Sequence, residues 1–359
     1  MGVESENNKV ALIGDLHFGV KNFNLDFLEH QLNALQEYCK ILKGKNVNTI
    51  IQLGDVFDNR KNIDNNFLYR LKTRLYEIFE GFDVYCIVGN HDMYFRETRE
   101  VNSPSIHLKD FFKEIFVHPS LVTINDISFG LFPYFSEKEF IQLKDAGILN
   151  SILEPSEVIL GHFEFKDFNF AYNTINNHSN YGIEDFKKDG KLLFSGHYHF
   201  SNNKHYIGTP YQIDFKEFGL VPKIIVLSKH KGSFKLEEIE NIWSARHYKL
   251  EIYSDKIMLE YDFTKGKQLF KNKDDIPEFC KIGNIYVKEE NKSLEKILEF
   301  FSVKSDSISV YRENILQEIK SMTMGEEKAN GIMSSDIYIK EYIKDNKPSL
   351  LPLLEKIWK

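Results

Sequence analysis

The sequence predicts an α/β (α+β) fold: two stacked mixed sheets with helices on both outer faces, a four-layer αββα sandwich, followed by a smaller β-α-β unit and a helical tail. Three observations carry this reading. Five short apolar runs in the first 200 residues each stop at Gly or Ser-Gly and are followed at once by Asp, Asn or His. Helical patterns separate the first three runs, whereas the later ones follow with little helix between them. The chain has 359 residues, 42% hydrophobic and 28% charged, which is near the globular average and enough for about two domains at roughly 150 residues each.

Runs of four or five β-branched and apolar residues bounded by Gly read as buried strands. Lys9–Ile13 leads into Gly14, Asp15, Leu16 and His17; Thr49–Leu53 into Gly54, Asp55, Val56, Phe57 and Asp58; Val84–Val88 into Gly89, Asn90, His91 and Asp92. Leu25, Leu28, Leu32, Leu35, Cys39 and Leu42 are spaced along one helical face. A second helix is expected to start at the N-cap Asp64, to turn Leu68, Leu71, Leu75, Ile78 and Phe79 inward, and to stop at Gly81. Strand–helix–strand order implies right-handed crossovers and parallel strands, with ligands beyond the strands' carboxyl ends. Further on, Leu121–Ile124, Ile127–Phe132, Glu157–Leu160, Leu192–Ser195, His205–Ile207 and Ile224–Leu227 are expected to form the second sheet. Glu157–Leu160 ends in Gly161 and His162, and Leu192–Ser195 in Gly196, His197, Tyr198 and His199. The polar residues of all five ends converge on one rim.

Asp carboxylates, an Asn amide oxygen and several imidazoles, with no thiolate among them, form an O/N donor set. It suits Mn, Fe or Zn at two adjacent positions. Two such cations clamp the attacking and leaving oxygens of a phosphoryl displacement, and one carboxylate must bridge them. Asp55, mid-sheet in chain order, is the candidate. A lone Asp after a strand is usually an N-cap, and a lone His usually a surface or core residue. His30, His107, His118, His178, His205, His230 and His247 take that plain reading. Five successive ends reading D-x-H, G-D-x-x-D, G-N-H-D, G-H and G-H-x-H do not.

These motifs resemble the calcineurin-type metallophosphoesterases, and most of all the SbcD-type DNA nucleases, phage recombination endonuclease subunits included. GDVFDNRK at 54–61, IVGNHDMYF at 87–95, GHFEF at 161–165 and YIGTPYQIDF at 206–215 carry the resemblance beyond the metal motifs, over about residues 9–247. It implies that Asp15, His17 and His199 hold one metal and Asn90, His162 and His197 the other, with Asp55 bridging. It implies two divalent ions, Mn²⁺ foremost, that acidify the attacking water. His91 would be no ligand but the general acid that protonates the leaving oxygen, and Asp58 the acidic partner orienting it. Asp92 is expected to cap the following turn or brace its loop, and Arg60 and Lys61 either to touch substrate phosphate or to be a solvated loop pair.

The function implied is a Mn-dependent DNA exo- or endonuclease subunit. It would act with an SbcC-type coiled-coil ATPase in recombination, repair or replication, as a homodimer within a heterotetramer. The alternatives are a phosphoesterase for a cyclic nucleotide or phosphoprotein, and a scaffold with a dead site. The phosphoprotein branch usually reads G-D-x-x-D-R-G and G-N-H-E, unlike GDVFDNR and GNHD here. Net charge is 46 − 53 = −7, which excludes a globally basic DNA binder and leaves phosphate-binding charge to local clusters or a partner. Phe163, Phe165, Phe168, Phe170 and Tyr172 would either pack a core or stack unpaired bases.

Domains are expected at 1–246 (nuclease), 247–324 (capping) and 325–359 (linker and helical tail). In the capping unit Ile282–Val287 and Ile308–Tyr311 read as strands and Leu294–Phe301 as a helix. The tail ends in an apolar stretch around Leu350–Trp358 that would dock on its own domain or on the ATPase. Phe67–Phe79 and Ile106–Phe116 are candidate dimer faces. Three cysteines cannot build a disulfide framework, the N-terminus is acidic and polar, and no apolar run nears the ~20 residues of a membrane span. A cytoplasmic site is expected, the host's if the chain is phage-encoded, with no membrane partner.

Overall fold

The computed structural model describes residues 8–166 and most of 168–252, with strands at 257–260, 268–270, 285–289 and 310–312. Two compact units divide the chain, Met1–Ser244 and Ala245–Lys359.

In the first unit β1 (Lys9–Ile13) is followed by α1 (Val20–Phe23), a short turn, and α2 (Leu25–Gly44); then come β2 (Thr49–Gln52), α3 (Asn65–Ile78) and β3 (Asp83–Ile87). A hairpin of β4 (Met93–Phe95) and β5 (Thr98–Asn102) leads through α4 (Ser103–His107) to β6 (Glu114–Phe116). The expected helices form where the periodicity places them. Asp64 caps α3, its side chain accepting from Phe67 N at 2.8 Å, and Gly81 takes a φ of 82° past the helix end.

The chain continues with β7 (Ser120–Ile124), β8 (Ile127–Phe132), α5 (Glu137–Asp145), α6 (Ile148–Leu153), β9 (Val158–Gly161), β10 (Asn169–Ala171), β11 (Thr174–Ile175), α7 (Ile183–Phe186), β12 (Leu192–Ser195), β13 (Lys223–His230) and β14 (Ser233–Glu240). One mixed sheet has the order β14-β13-β1-β2-β3-β6, the other β12-β9-β8-β7. The strands β1, β2, β3 and β6 run parallel, as do β8, β9 and β12.

Side-chain alternation builds the layers. Val10 and Leu12 of β1 and Ile225 and Leu227 of β13 face Phe129, Leu131, Val158 and Leu160 of the other sheet. Ala11, Ile13, Ile224 and Val226 point the opposite way, onto the apolar stripe of α2 and α3. On the far face of the second sheet Ile159 and Leu193 pack with Phe140, Leu149 and Ile152 of α5 and α6. The result is helix, sheet, sheet, helix.

Three expectations change. Ile224–Leu227 does not extend the second sheet: as part of β13 it pairs antiparallel with β1, Leu12 opposite Ile225. A strand with both faces apolar fits either sheet, and the open edge of β1 takes it. His205–Ile207 contributes a single bridge, Tyr206 to Ser195. Two helices, α5 and α6, stand between β8 and β9 where little helix was expected.

The second unit contains one described sheet. Its strands β15 (Tyr248–Ile252), β16 (Ile257–Glu260), β17 (Gln268–Phe270), β18 (Ile285–Glu289) and β19 (Val310–Arg312) take the order β17-β16-β15-β18-β19. The pairs β15–β18 and β18–β19 are parallel. The helix expected at 294–301 and the tail at 325–359 lie outside the described residues.

Candidate active site

Five loops at the carboxyl ends of β1, β2, β3, β9 and β12 meet where the two sheets come together. They are stitched by backbone hydrogen bonds: Leu16 N and His17 N donate to Asp55 O at 3.0 and 2.9 Å, and Phe18 N to Val56 O at 2.8 Å. Three functional residues hold left-handed backbone, His17 (φ 46°), Asp55 (φ 54°) and His197 (φ 84°). That conformation costs non-glycine residues roughly 1 kcal/mol or more each and persists only where surrounding structure imposes it. Glycines at the starts of these loops let them touch. A Cβ on Gly89 would lie 2.2 Å from Asp55 N, and one on Gly54, itself at φ 94°, would lie 2.4 Å from His162 Nδ1.

The donor atoms form two clusters. In the first, His17 Nε2 and His199 Nε2 are 2.9 Å apart, each 3.9 Å from Asp15 Oδ2. In the second, Asn90 Oδ1 lies 2.9 Å from both His162 Nε2 and His197 Nδ1. Asp55 Oδ2 stands between them, 3.7 Å from His17 Nε2 and 3.3 Å from His162 Nε2. Neighbouring ligands about 2.1 Å from one ion are about 3.0 Å apart in an octahedron and about 3.4 Å in a tetrahedron. The spacings cover that range. Two imidazole nitrogens facing each other need a proton or a cation between them. The donor types suit hard to borderline divalent metals, so all seven expected ligands meet in a setting that fits a pair of divalent cations.

Most of the remaining polar atoms are matched, His17 Nδ1 being buried without a hydrogen bond among the described residues. Asp55 Oδ1 accepts from His91 N at 2.7 Å, and Asp15 accepts from His197 N at 3.0 Å. His162 Nδ1 is 2.7 Å from Leu53 O and His199 Nδ1 2.7 Å from Glu217 Oε1. Each ring thereby gives its N–H outward and turns the other nitrogen into the cleft. Asp15, Asp55 and His162 are almost wholly buried. Burial raises Asp15. Burial works the same way on Asp55, but the His162 charge and hydrogen bond, with His17 and His91, overcome it and hold Asp55 ionised. Burial disfavours charge on His162 and His199, yet Asp55 lifts His162 to about 9, and Glu217 with Asp15 lifts His199 to about 9. His197 goes down, through burial and the neighbouring His162 charge. With no cation present, the cleft's negative field is met by protons.

His91 sits beside these clusters. Its Nδ1 is 2.8 Å from Asp58 O, which leaves Nε2 for another partner. The Asp58 carboxylate turns elsewhere, Oδ1 lying 3.3 Å from His17 Nδ1. The main chain of Asp58, not its acid group, therefore orients His91. Asp92 braces the loop, accepting from Phe57 N at 3.0 Å and Gly89 N at 2.9 Å; burial and the Asp55 charge push it up to about 7. Arg60 is half-buried and Lys61 exposed; Arg60 acts electrostatically on Tyr134, whose ring is 6.0 Å from that of His197. Phe163 and Phe165 are core residues of the second sheet's outer layer, and Phe168 packs against them; Tyr172 and the side chain of Phe170 lie outside the described residues.

Glu217 is the residue that motif reading missed. It is 2% exposed, and its carboxylate accepts from Ile213 N at 2.6 Å as well as holding His199. It lies two residues beyond the YIGTPYQIDF stretch, where a lone Glu carries no signal of its own.

Comparison with known proteins identifies the family. Residues 8–201, more than half of the chain, match the model of the calcineurin-like phosphoesterase family. Exonuclease subunit 1 of Enterobacteria phage T4 is 28% identical over 212 residues, 57% of this chain and 60% of that protein. The chain thus matches less than two thirds of that relative's length. Among solved structures, a dimetal phosphatase from Danio rerio is 12% identical with a TM-score of 0.39, covering 73% of this chain and 98% of that one. GAP50, the anchor in the inner membrane complex of Plasmodium, is 15% identical with a TM-score of 0.40, covering 66% and 85%. Among the described residues no helix is long and apolar enough to cross a membrane. On the family match and the donor atoms that converge in its cleft, the chain belongs to the calcineurin-like phosphoesterases and is a metal-dependent hydrolase of phosphoester bonds.

Proposed function

We propose that the chain is a DNA exo- or endonuclease subunit that hydrolyses phosphodiester bonds at a two-metal centre. The observation that carries this reading is Asp55 Oδ2, which faces both donor clusters at 3.7 and 3.3 Å while His91 stands beside them with its Nδ1 engaged by Asp58 O. The 28% identity to a phage exonuclease subunit supports DNA as the substrate.

Asp15, His17 and His199 would hold one ion and Asn90, His162 and His197 the other, Asp55 bridging. When bound, the ions lower the pKa of the attacking water and neutralise phosphate charge. Asn90 binds without adding a third like charge. His91 Nε2 delivers a proton to the leaving oxygen, its ring orientation set by the Asp58 carbonyl. The Asp58 carboxylate steadies His17. Arg60 and Lys61 approach the substrate phosphates. Manganese is the proposed metal and an SbcC-type coiled-coil ATPase the proposed partner, acting in the cytoplasm in recombination, repair or replication. Tyr69 and Tyr76, one helical face of α3, and Ile106 of α4 are exposed and support a homodimer through those helices.

The test is hydrolysis by the full chain with Mn²⁺ of labelled single- and double-stranded DNA beside p-nitrophenyl phosphate monoester. DNA cleavage is expected. Monoester turnover with intact DNA would point instead to a small or protein substrate.

A further inference from the structure

We propose that the β4–β5 hairpin is a stacking platform for an unpaired nucleobase next to the phosphate held in the cleft, so that the enzyme engages single-stranded or frayed DNA ends. This rests on the DNA reading above.

Phe163 and Phe165, which the sequence allowed either to pack a core or to stack bases, are buried in the core. A different pair is available. Tyr94 is 40% and Phe95 51% exposed, although Asp92, Met93, Arg99 and Asn102 around them are buried. Their rings are 4.8 Å apart at 76°. An edge-to-face pair leaves a ring face open to a third planar group. Lys61 Nζ lies 5.7 Å from the Tyr94 centroid, within cation–π range. A cation there suits the phosphate that accompanies every base.

The hairpin is held rigidly to the cleft from both sides. On one side the Asp92 carboxylate takes Phe57 N and Gly89 N, and its carbonyl accepts from Ser103 N at 2.9 Å. On the other the buried Arg99 donates to Tyr134 O at 2.6 Å and pairs with the Glu139 carboxylate. Tyr94 is three residues from His91, so the two Cα atoms are at most about 10 Å apart. That is close enough for a base on the nucleotide being cut or its neighbour.

The patch is the wrong size for a protein. Two rings and the exposed Val101 fall far short of the roughly 800 Å² per partner of a stable interface. They match the π-face of one or two bases. Arg96 and Lys61 are exposed near the rings, while Glu97 and Glu100 belong to the turn and return strand. In a duplex the bases are already stacked on each other, so the platform rewards a strand whose last base is free.

The experiment measures binding of the full chain in EDTA to single-stranded and blunt duplex DNA carrying 2-aminopurine at the end, and cleavage of the same DNA with Mn²⁺. Tyr94→Ala/Phe95→Ala is expected to bind the single strand about 5- to 100-fold more weakly. It should also lose the 2-aminopurine quench and lower the preference for free over duplex ends, with Tyr94→Phe restoring all three. Wild-type cleavage of DNA with an unchanged double variant would overturn the platform and leave the DNA reading standing. If the wild type neither binds nor cuts DNA while hydrolysing p-nitrophenyl phosphate, both fall together. Loss of self-association in the double variant with DNA affinity intact would reassign the patch to contact between copies.

Discussion

The two sheets reach the same cleft with different chemistry. The first supplies both metal-facing carboxylates, Asp15 and Asp55, with Asn90, His17 and His91; the second supplies imidazoles alone, His162, His197 and His199. Charge is fixed by main chain, the carboxylates accepting from His197 N and His91 N. Two of the second sheet's rings are fixed through Nδ1, His162 by Leu53 O and His199 by Glu217. On the proposed two-metal reading, the carboxylate side would supply the charge that attracts the cations and the imidazole side neutral donors for which protons compete.

Asp55→Asn is the strongest test of that division. Removing the one charge that faces both clusters should lower metal affinity by more than the ~100-fold upper range for an outer-shell partner, with hydrolysis falling to background. Calorimetric titration and elemental analysis check it. Two ions retained at wild-type affinity would mean that Asp55 bridges nothing.

His91→Ser should leave metal content unchanged and lower turnover by about 10²- to 10⁴-fold, the usual contribution of a positioned acid. Metal lost from this variant would make His91 a ligand. Glu217→Gln acts on the imidazole side alone. It keeps the shape but weakens the bond at His199 Nδ1, and should cost about 10- to 100-fold in affinity for one ion of the two. Equal loss at both ions, or none, would break the comparison.

The smallest effect is on pH dependence. His162 and His199 stay protonated up to about 9 without cations, and a metal needs the neutral ring. Affinity should therefore rise with pH from about 6.5 to 9, by about tenfold per unit for each proton released. The metal-free protein runs the other way. A histidine whose folded pKa lies above its unfolded value stabilises fully below about 6.5 and loses that contribution as pH rises through about 9. His197, whose pKa is lowered, titrates below that window. Thermal melts across about pH 6.5 to 9 should show stability falling with pH in EDTA and staying level in saturating Mn²⁺, where the metal-bound rings hold no proton to lose; the same slope in both would refute the proton–metal exchange.

Much of the site was legible because each ligand directly follows a strand. A buried apolar run that stops at Gly marks where backbone leaves the sheet, and Asp15, Asp55, Asn90, His162 and His197 sit within three residues of the ends of β1, β2, β3, β9 and β12. What was hidden acts across the chain. Asp58 was expected to orient His91 through its acid group, but the side chain reaches His17 and the carbonyl does the orienting. Spacing says which residues are neighbours, not which way a side chain turns. Glu217 was invisible because its partner belongs to a different loop and no local pattern links them.

By itself the sequence determined the strand and helix periods, the five polar strand ends and the donor types, all set by residues within a few positions of each other. Only tertiary structure decided that β13 joins β1, that Asp55 and His197 adopt left-handed backbone, and that His17 and His199, 182 positions apart, face each other at 2.9 Å. Those outcomes depend on which surfaces bury each other when the whole chain packs, and packing compares distant segments that no local pattern can rank.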